Sequence, residues 1–350
     1  MSFADLLSRL GGPVIQAPMA GVQNHRLAAT VCEAGGLGSL AAAMLTPEGL
    51  QTELQALSAA THQPYNVNFF CHTPPSSDSA RQAAWEQALS PYYREMGLDP
   101  AAIPNSPGRV PFGHDSADVL EAFQPAVVSF HFGLPAPDLL ARVKGWGSLV
   151  LSSATTVQEA LWLQANGADA VVAQGLEAGG HRGMFLTDDL STQMGTLALL
   201  PQIAQAVQIP VIAAGGIGSA QAVMAAKALG AAGVQIGTAY LCSHEATTSA
   251  LHRAALQSPA AQHTALTNLF SGRPARGIVN RLMAELGPLN KAAPAFPLAT
   301  AGIAPLRAAA EAQGLTDFTP LWSGQNAQSA RSLSATEITR DFVNAWRSMP

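Results

Sequence analysis

The chain has 350 residues, of which 48% are hydrophobic and only 12% charged, so it is long enough for one large domain or two smaller ones with much buried surface. Its formal net charge of −5 excludes the strongly basic surface that phosphate backbones attract, and we expect no nucleic-acid partner. The first residues do not resemble a signal peptide, and no run of roughly 18 apolar residues occurs, so we expect neither export nor a membrane partner.

The three cysteines, Cys32, Cys71 and Cys242, are odd in number and widely spaced. None forms a Cys-x-x-Cys pair, and no two histidines have the spacing of metal ligands, so we predict neither a disulfide framework nor a metal site. This use of cysteine fits a reducing, cytoplasmic location.

In the first half of the chain, short apolar runs rich in β-branched residues alternate with Ala/Leu-rich stretches of helical period, which is typical of βα units. Thr46 followed by Pro47 has the pattern of a helix cap and first helical residue. The pattern predicts strands at 14–17, 37–41, 66–70 and 126–130, and helices at 27–34 and 138–146.

The connection after the third predicted strand is unusually long and rich in proline. Residues 74–124 contain too many prolines for one continuous helix and are too numerous for an ordinary loop. We therefore predict one helix near 80–89 and an irregular excursion around it.

The second half continues the alternation. Thr155 or Thr156 caps a helix that ends near Asn166. Further helices are predicted at 197–207 and 220–229, and strands at 148–152, 170–173, 210–214 and 233–236.

Eight successive βα units predict an α/β fold of the (β/α)8 TIM-barrel type. We expect a single domain with a core at about 13–245, an insertion at 74–124 and a C-terminal helical appendage at about 258–350. A doubly wound open sheet would also explain the alternation, but it would not explain the number of units.

Polar residues occur where the predicted strands end. Asn68, His131, Gln174 and Gln235 lie at or near the carboxyl ends of four strands, where a barrel builds its active site. Each amide side chain could instead satisfy a neighbouring backbone group. Their common location at one rim favours a functional site.

Two glycine-rich turns follow the seventh and eighth predicted strands. Gly215, Gly216 and Gly218 precede an alanine-rich helix, and Gly237-Thr238 ends the last strand. Backbone amides and a helix N-terminus at these loops predict a phosphate-binding cradle, although a merely tight turn is the alternative. The turn lacks the third glycine of a dinucleotide fingerprint, and the chain has no Walker motif.

One histidine stands out in the stretch 170–183, AVVAQGLEAGGHRG. An apolar strand ends at Gln174, and Gly179 and Gly180 allow a sharp turn before His181. His181 could be an ordinary polar loop residue. Its position at the exit of the sixth strand, beside the predicted cradle, favours a direct role in an active site.

These motifs resemble the class I nitronate monooxygenases, once called 2-nitropropane dioxygenases, which are FMN-dependent barrels. The QGLEAGGH motif is fairly specific to that family, whereas the GGI and QIGT pieces are shared with other FMN barrels, including flavin-dependent enoyl and quinone reductases. The matching segments are PVIQAPMAGV (13–22), AGGLGSL (34–40), NVNFFCHTPP (66–75), VSFHFGLP (128–135), AQGLEAGGHRG (173–183), PVIAAGGIGS (210–219), GVQIGTAYL (233–241) and WSGQ (322–325).

The resemblance assigns roles to individual positions. It implies that His181 is the catalytic residue and that Met19, His131 and Gln325 line the substrate pocket. The FMN contacts that it implies are Asn68, Gln174, Gly179, Gly216, Gln235, Ile236, Gly237 and Thr238.

The implied activity is oxidation of alkyl nitronates of the propionate 3-nitronate type by O2, giving a carbonyl compound and nitrite. The implied partners are a small-molecule nitronate and O2, in a monomer or homodimer. A protonated His181 would stabilise the nitronate, and a neutral His181 would act as a base on a nitroalkane.

Two other functions fit the same fold: an NAD(P)H-dependent FMN quinone or enoyl reductase, and a flavin-binding protein without turnover. An inosinate-dehydrogenase-like barrel needs a cysteine nucleophile in the loop after the sixth strand, and no cysteine lies there.

Overall fold

The structure, a computed structural model, describes residues 1–76, 78–103 and 108–348. The strands of these residues are β1 (Val14–Gln16), β2 (Ser39–Ala41), β3 (Asn66–Phe70), β4 (Val127–His131), β5 (Leu149–Ala154), β6 (Ala170–Gln174), β7 (Gly180–His181), β8 (Val211–Ala214), β9 (Gly233–Ile236), β10 (Thr264–Thr267) and β11 (Ala275–Ile278).

Helices surround these strands. They are α1 (Phe3–Arg9), α2 (His25–Glu33), α3 (Pro47–Ala60), α4 (Ser79–Glu95), α5 (His114–Glu121), α6 (Pro137–Gly145), α7 (Val157–Ala165), α8 (Thr196–Ala206), α9 (Ala220–Ala228), α10 (Ala250–Gln257), α11 (Arg281–Leu286), α12 (Ala299–Glu311) and α13 (Ala335–Arg347).

Eight parallel strands form the predicted barrel, in the order β1-β9-β8-β6-β5-β4-β3-β2. The two ends of this order meet where the Gln16 amide donates to the Leu37 carbonyl at 3.0 Å and the Leu37 amide donates to Val14 at 2.8 Å. Strands β3, β5, β6 and β8 are buried along their whole length, as expected for a parallel sheet covered by helices. The predicted TIM-barrel fold is confirmed.

Capping residues set the starts of the helices that follow the strands. Thr46 accepts a hydrogen bond from the Gly49 amide at the start of α3, as predicted. Thr156, rather than Thr155, caps α7 by accepting from the Glu159 amide, because the Thr155 hydroxyl donates to the Glu159 carboxylate instead. Each cap satisfies an amide that the first helical turn leaves unpaired.

The insertion after β3 carries a longer helix than predicted, α4, and a second helix, α5, where only an irregular excursion was predicted. Helix α4 continues to Glu95 with Pro91 inside it, although proline removes a helical hydrogen bond. Trp85, Tyr92 and Tyr93 are buried against the C-terminal region, and Tyr93 Oη donates to the Gly302 carbonyl at 2.7 Å. This packing holds the helix together past the proline. Residues 104–107 of the predicted excursion lie outside the described residues.

The C-terminal region contains more of the barrel than predicted. Helix α13 packs against α9 and α2, which follow β8 and β1, so it occupies the position of the eighth barrel helix. Phe342 shares a buried cluster with Val31 and Val223, and Tyr240 and Thr339 are joined by a 2.9 Å hydrogen bond between their hydroxyls. Thus the last part of the predicted appendage completes the barrel wall.

A second sheet, β10-β11-β7, connects the remaining C-terminal segment to the loop after β6. His181 pairs with Ala275 and Gly180 with Arg276 in an antiparallel ladder. The segment around His181, predicted as a glycine-rich turn, is therefore held as a short strand. Its partner strand lies far along the chain.

No helix within 1–76, 78–103 and 108–348 is long and apolar enough to cross a membrane. In the same residues, no three His, Cys, Asp or Glu side chains are grouped in a way that could hold a metal ion. Cys32, Cys71 and Cys242 are free thiols, and burial raises the pKa of each. Such thiols are poor nucleophiles.

Replacing Phe342 tests the placement of α13. Phe342→Ala should lower the free energy of unfolding by about 3–5 kcal/mol, because the cavity forms between α13 and the barrel helices. Urea unfolding followed by circular dichroism measures this loss. Arg340→Ala, on the exposed face of the same helix, is the control and should change stability by less than about 0.5 kcal/mol. Equal effects would contradict the placement.

Candidate active site

A cavity of about 320 Å3 opens at the carboxyl ends of the barrel strands, where the sequence predicts the site. This volume falls in the range of small-molecule and cofactor sites. The predicted site residues that line it are Met19, Asn68, His131, Gln174, Gly179, His181, Gly216, Gln235, Gly237 and Thr238.

Two predicted site residues do not line the cavity. Ile236 is buried in the cluster between the strands and the outer helices, because successive residues of a strand face opposite sides and its neighbours Gln235 and Gly237 face the cavity. Gln325 is exposed, while Gly324 and Asn326 on either side of it line the cavity.

A buried arginine organises the loop after β6. Arg182 has no exposed surface, and its guanidinium donates to the carbonyls of Gln174 and Gly175 at 2.7 and 2.6 Å and to Gln193 Oε1. Burial lowers the pKa of Arg182 to about 10, which keeps it charged at neutral pH. Since an arginine so enclosed must keep these acceptors, the loop is fixed to the end of β6.

Gln174 fixes the same loop from the strand side. Its Nε2 donates to the His181 carbonyl at 2.9 Å, and its Oε1 accepts from the Gly183 amide at 2.7 Å. Both polar atoms of the Gln174 side chain therefore bind backbone groups, which is the alternative to a ligand-binding role that the sequence left open. Together with the pairing of His181 with Ala275, these bonds determine where the imidazole lies.

His181 occupies an aromatic part of the cavity. Its ring lies 5.4–6.0 Å from the ring centroids of four neighbours, and its Nε2 is 2.8 Å from Ser271 Oγ. The hydroxyl donates to Nε2 when the ring proton is on Nδ1. It accepts from Nε2–H when it donates instead to the Arg273 carbonyl, 3.4 Å away, so the contact fits either neutral tautomer. The four aromatic neighbours are Phe70, Phe132, Phe296 and Trp322.

The surroundings of His181 disfavour its protonated form. Burial lowers the pKa of His181 well below its usual range, and the positive charges of Arg109 and Arg273 lower it further. Although part of the residue is exposed, that part faces the cavity, so protein atoms still exclude most water from the ring. At neutral pH the imidazole is therefore neutral.

His131 lies beneath the loop and supports it. Its Nδ1 is 3.0 Å from Ser153 Oγ and its Nε2 is 3.2 Å from the His181 carbonyl. A Cβ atom at Gly183 would come within 2.9 Å of the His131 ring, so only glycine allows this approach. Burial lowers the pKa of His131 to about 4.

The glycine-rich turns leave several amides unpaired at one end of the cavity. Gly215 and Gly216 have φ angles of +118° and +70°, a conformation that glycine adopts without strain. The backbone amides of Gly216, Gly218, Gly237 and Thr238 donate to no acceptor in the described residues. Amides grouped beside the N-terminus of α9 form the kind of site that binds phosphate.

The segment 322–329 crosses these turns. The Gly324 amide donates to Thr238 Oγ1 at 2.9 Å, and Asn326 Nδ2 donates to the Gly216 carbonyl at 3.2 Å. A Cβ atom at Gly218 would lie 2.3 Å from Ser329 Cβ, so glycine is required for this contact. The C-terminal region thus holds both glycine-rich turns in position.

Two amide side chains keep free polar atoms in the cavity. Asn68 Nδ2 donates to the Ser129 carbonyl and hydroxyl at 3.2 and 3.0 Å, and its Oδ1 has no partner in the described part of the chain. Gln235 is partly buried and forms no side-chain hydrogen bond with described residues. These atoms and the unpaired amides fit a phosphorylated cofactor with a polar ring system.

Sequence reasoning missed several residues of the site. Arg109 belongs to the proline-rich insertion, where no periodic pattern indicates which side chain faces inward. Ser271 and Arg273 lie beyond the last barrel strand, and only the second sheet brings them beside His181. Arg182 directly follows His181 in the stretch quoted above, so it was visible in the sequence, but nothing in that stretch indicated that its side chain is buried.

Known proteins are similar to this chain in sequence and in fold. A family model described as nitronate monooxygenase matches residues 5–345. A nitronate monooxygenase of Pseudomonas aeruginosa is 41% identical, with 98% of this chain and 99% of that protein covered. Another, from Paraburkholderia phytofirmans, is 43% identical over 93% of this chain and 90% of its own length.

Two solved structures are also similar to this chain over nearly its whole length. A nitroalkane oxidase from Streptomyces ansochromogenes superposes with a TM-score of 0.90 and 38% identity, covering 98% of both chains. A mutant of FabK from Thermotoga maritima has a TM-score of 0.72 and 25% identity, covering 99% of this chain and 95% of its own.

Buried neutral histidines predict acid sensitivity. Burial lowers the pKa values of His131 and His252 to about 4, so the unfolded chain binds more protons than the folded chain below about pH 6.5. The free energy of unfolding therefore keeps its full contribution from these histidines above that pH. It falls towards pH 4 by up to about 1.4 kcal/mol per pH unit for each histidine. Thermal unfolding midpoints from pH 7 to pH 4.5 measure the loss.

His252→Asn should flatten this pH dependence, because one titrating group is removed. His62→Asn, at an exposed position, is the matched control and should leave the slope as in the unmodified protein. Identical slopes in all three proteins would contradict a neutral, buried His252.

Proposed function

The chain belongs to the nitronate monooxygenase family and is an oxidoreductase enzyme, and from this premise we propose that it oxidises alkyl nitronates with O2, using FMN. The products would be a carbonyl compound and nitrite. One observation carries the proposal: a single cavity is lined both by a neutral histidine, His181, and by glycine-rich turns whose unpaired amides suit a phosphate group. A cytoplasmic location and a monomeric or homodimeric state stay predictions from the sequence.

The residues that would hold FMN divide by chemistry. The unpaired amides of Gly216, Gly218, Gly237 and Thr238 would bind its phosphate, with the N-terminus of α9 adding favourable electrostatic potential. The free Oδ1 of Asn68 and the side-chain amide of Gln235 would bind polar atoms of the flavin ring.

Gln174 and Gly179 would contribute in other ways. Gln174 holds the His181 loop in place and presents its remaining surface to the cavity. A Cβ atom at Gly179 would lie 2.5 Å from the Gly324 amide nitrogen, so this glycine allows the segment 322–329 to close over the phosphate turns.

When bound, FMN supplies the redox chemistry that no protein side chain can provide. The chain's own contribution is to bind the nitronate, orient it and exclude water. Phe70, Phe132 and Phe296 form an apolar wall beside His181, where a hydrogen bond to an anion is stronger than in water. Met19 lines the same cavity and would contact the substrate or the cofactor.

His181 would act as a neutral hydrogen-bond donor to the nitronate. In the neutral tautomer in which Ser271 Oγ donates to Nε2, the proton on Nδ1 would be available to an anionic oxygen. The depressed pKa of His181 favours this arrangement over a permanent imidazolium. In the other neutral tautomer, with the proton on Nε2, the unprotonated Nδ1 would accept a proton from a nitroalkane, so the two substrates would share one site.

Substituting His181 tests its role. His181→Asn should retain FMN at the stoichiometry of the unmodified protein, because the phosphate turns and Asn68 are unchanged. Turnover of propionate 3-nitronate should fall at least about 100-fold, since the hydrogen bond to the developing charge is lost. Oxygen consumption and flavin absorbance measure the two quantities. Undiminished turnover in a flavin-replete variant would remove His181 from the mechanism.

Anaerobic mixing distinguishes the proposed activity from its rivals. The purified holoprotein is mixed with propionate 3-nitronate and, separately, with NADH and NADPH, while the visible absorption of the flavin is recorded. A rapid change with the nitronate alone is expected. Bleaching only by a reduced pyridine nucleotide would identify a quinone or enoyl reductase instead, and no response to any of the three would favour a flavin-binding protein without turnover.

A further inference from the structure

Arg109 brings a positive charge into the cavity without a negative partner. It lines the cavity, and its guanidinium carbon lies 5.8 and 5.7 Å from the ring centroids of Phe70 and Phe296. No Asp or Glu in the described residues lies within ion-pair distance of it. Arg307, which also lines the cavity, differs because its Nε donates to Glu311 Oε1 at 2.7 Å.

The same two rings connect Arg109 to His181. Phe70 and Phe296 lie 6.0 and 5.4 Å from the His181 ring, so the guanidinium and the imidazole share an aromatic wall, in which Phe70 faces the cavity and Phe296 is buried. A small molecule that contacts His181 along this wall would bring its other end towards Arg109. The positions therefore suit a substrate with two polar ends and a short apolar middle.

The charge around this wall is positive. The Arg273 guanidinium does not line the cavity, but it lies 4.3 Å from the Phe132 centroid; its Nη2 donates to the Met184 carbonyl at 2.7 Å, and its buried Nε has no hydrogen-bond partner in the described residues. No aspartate or glutamate is among the described residues that line the cavity. Such a site favours a ligand with more than one negative charge.

We propose that Arg109 binds a carboxylate at the end of the substrate opposite the nitronate group, and so makes the enzyme selective for carboxylate-bearing nitronates. This inference rests on the proposed nitronate oxidation. Guanidinium and carboxylate groups form paired, charge-assisted hydrogen bonds, which arginine makes better than lysine. Because Arg109 has no carboxylate partner among the described residues, a substrate carboxylate would replace the water that the desolvated cation has lost.

Two nitronates with the same three-carbon chain provide the test. Propionate 3-nitronate carries a carboxylate where propyl-1-nitronate carries a methyl group. For Arg109→Gln, kcat/KM for propionate 3-nitronate should fall about 10- to 100-fold, mainly through KM, because a charged hydrogen-bond pair is lost. For propyl-1-nitronate the change should stay below about threefold. Arg109→Lys should recover part of the loss.

The controls separate this effect from changes in charge or folding. Arg340→Gln removes one positive charge from an exposed position on α13 and should leave both substrates unaffected. If Arg109→Gln fails to fold, the unmodified holoenzyme still tests the proposal: succinate should inhibit turnover of propyl-1-nitronate about tenfold more strongly than butyrate does.

The outcomes distinguish this inference from the proposed function. Failure of the unmodified holoenzyme to oxidise either nitronate would contradict the proposed function. Oxidation of both nitronates with equal efficiency, equal losses for the two substrates in Arg109→Gln, or equal inhibition by succinate and butyrate would overturn the assignment of Arg109 alone.

Discussion

The site depends on the enclosure of one arginine side chain. Arg182 is fully buried without a carboxylate partner among the described residues. Its charge is compatible with the interior only while the carbonyls of Gln174 and Gly175 and the side-chain Oε1 of Gln193 accept its hydrogen bonds. Those acceptors belong to the end of β6 and to the loop that follows. The conformation that satisfies Arg182 is therefore also the conformation that presents His181 to the cavity.

The remainder of the site is assembled from segments that are distant in sequence. Strand β11 pairs with His181, Ser271 contacts its ring, and the segment 322–329 holds the phosphate-side turns. The contact made by the segment 322–329 requires glycine at position 218, where a Cβ atom would lie 2.3 Å from Ser329 Cβ. The barrel provides the rigid rim, while the C-terminal region supplies walls and polar contacts that the barrel lacks.

The sequence predicted the barrel well because its strands are buried on both faces and bounded by glycine or proline, so they appear as short apolar runs. It also placed the two glycine-rich turns and His181 at the rim where the cavity opens, since both depend on local backbone chemistry. The pairing of β7 with β11 was not predictable in this way, because β7 has only two residues and its partner lies far along the chain. The inward position of Arg109 likewise depends on tertiary packing of the insertion. Nothing in the local pattern of α13 indicates which part of the barrel that helix covers.

The position of α13 has a consequence for biosynthesis. Strand β9 ends at Ile236, whereas the helix that completes the wall beside it begins at Ala335, so a long intervening segment is translated before the barrel can be covered. The segment that holds the phosphate turns in place is also made late, immediately before α13. A nascent chain released before this point would have all eight strands but an open wall and a loose cradle. Closure of the core and the positioning of both glycine-rich turns are thus completed together, only at the final stage of synthesis.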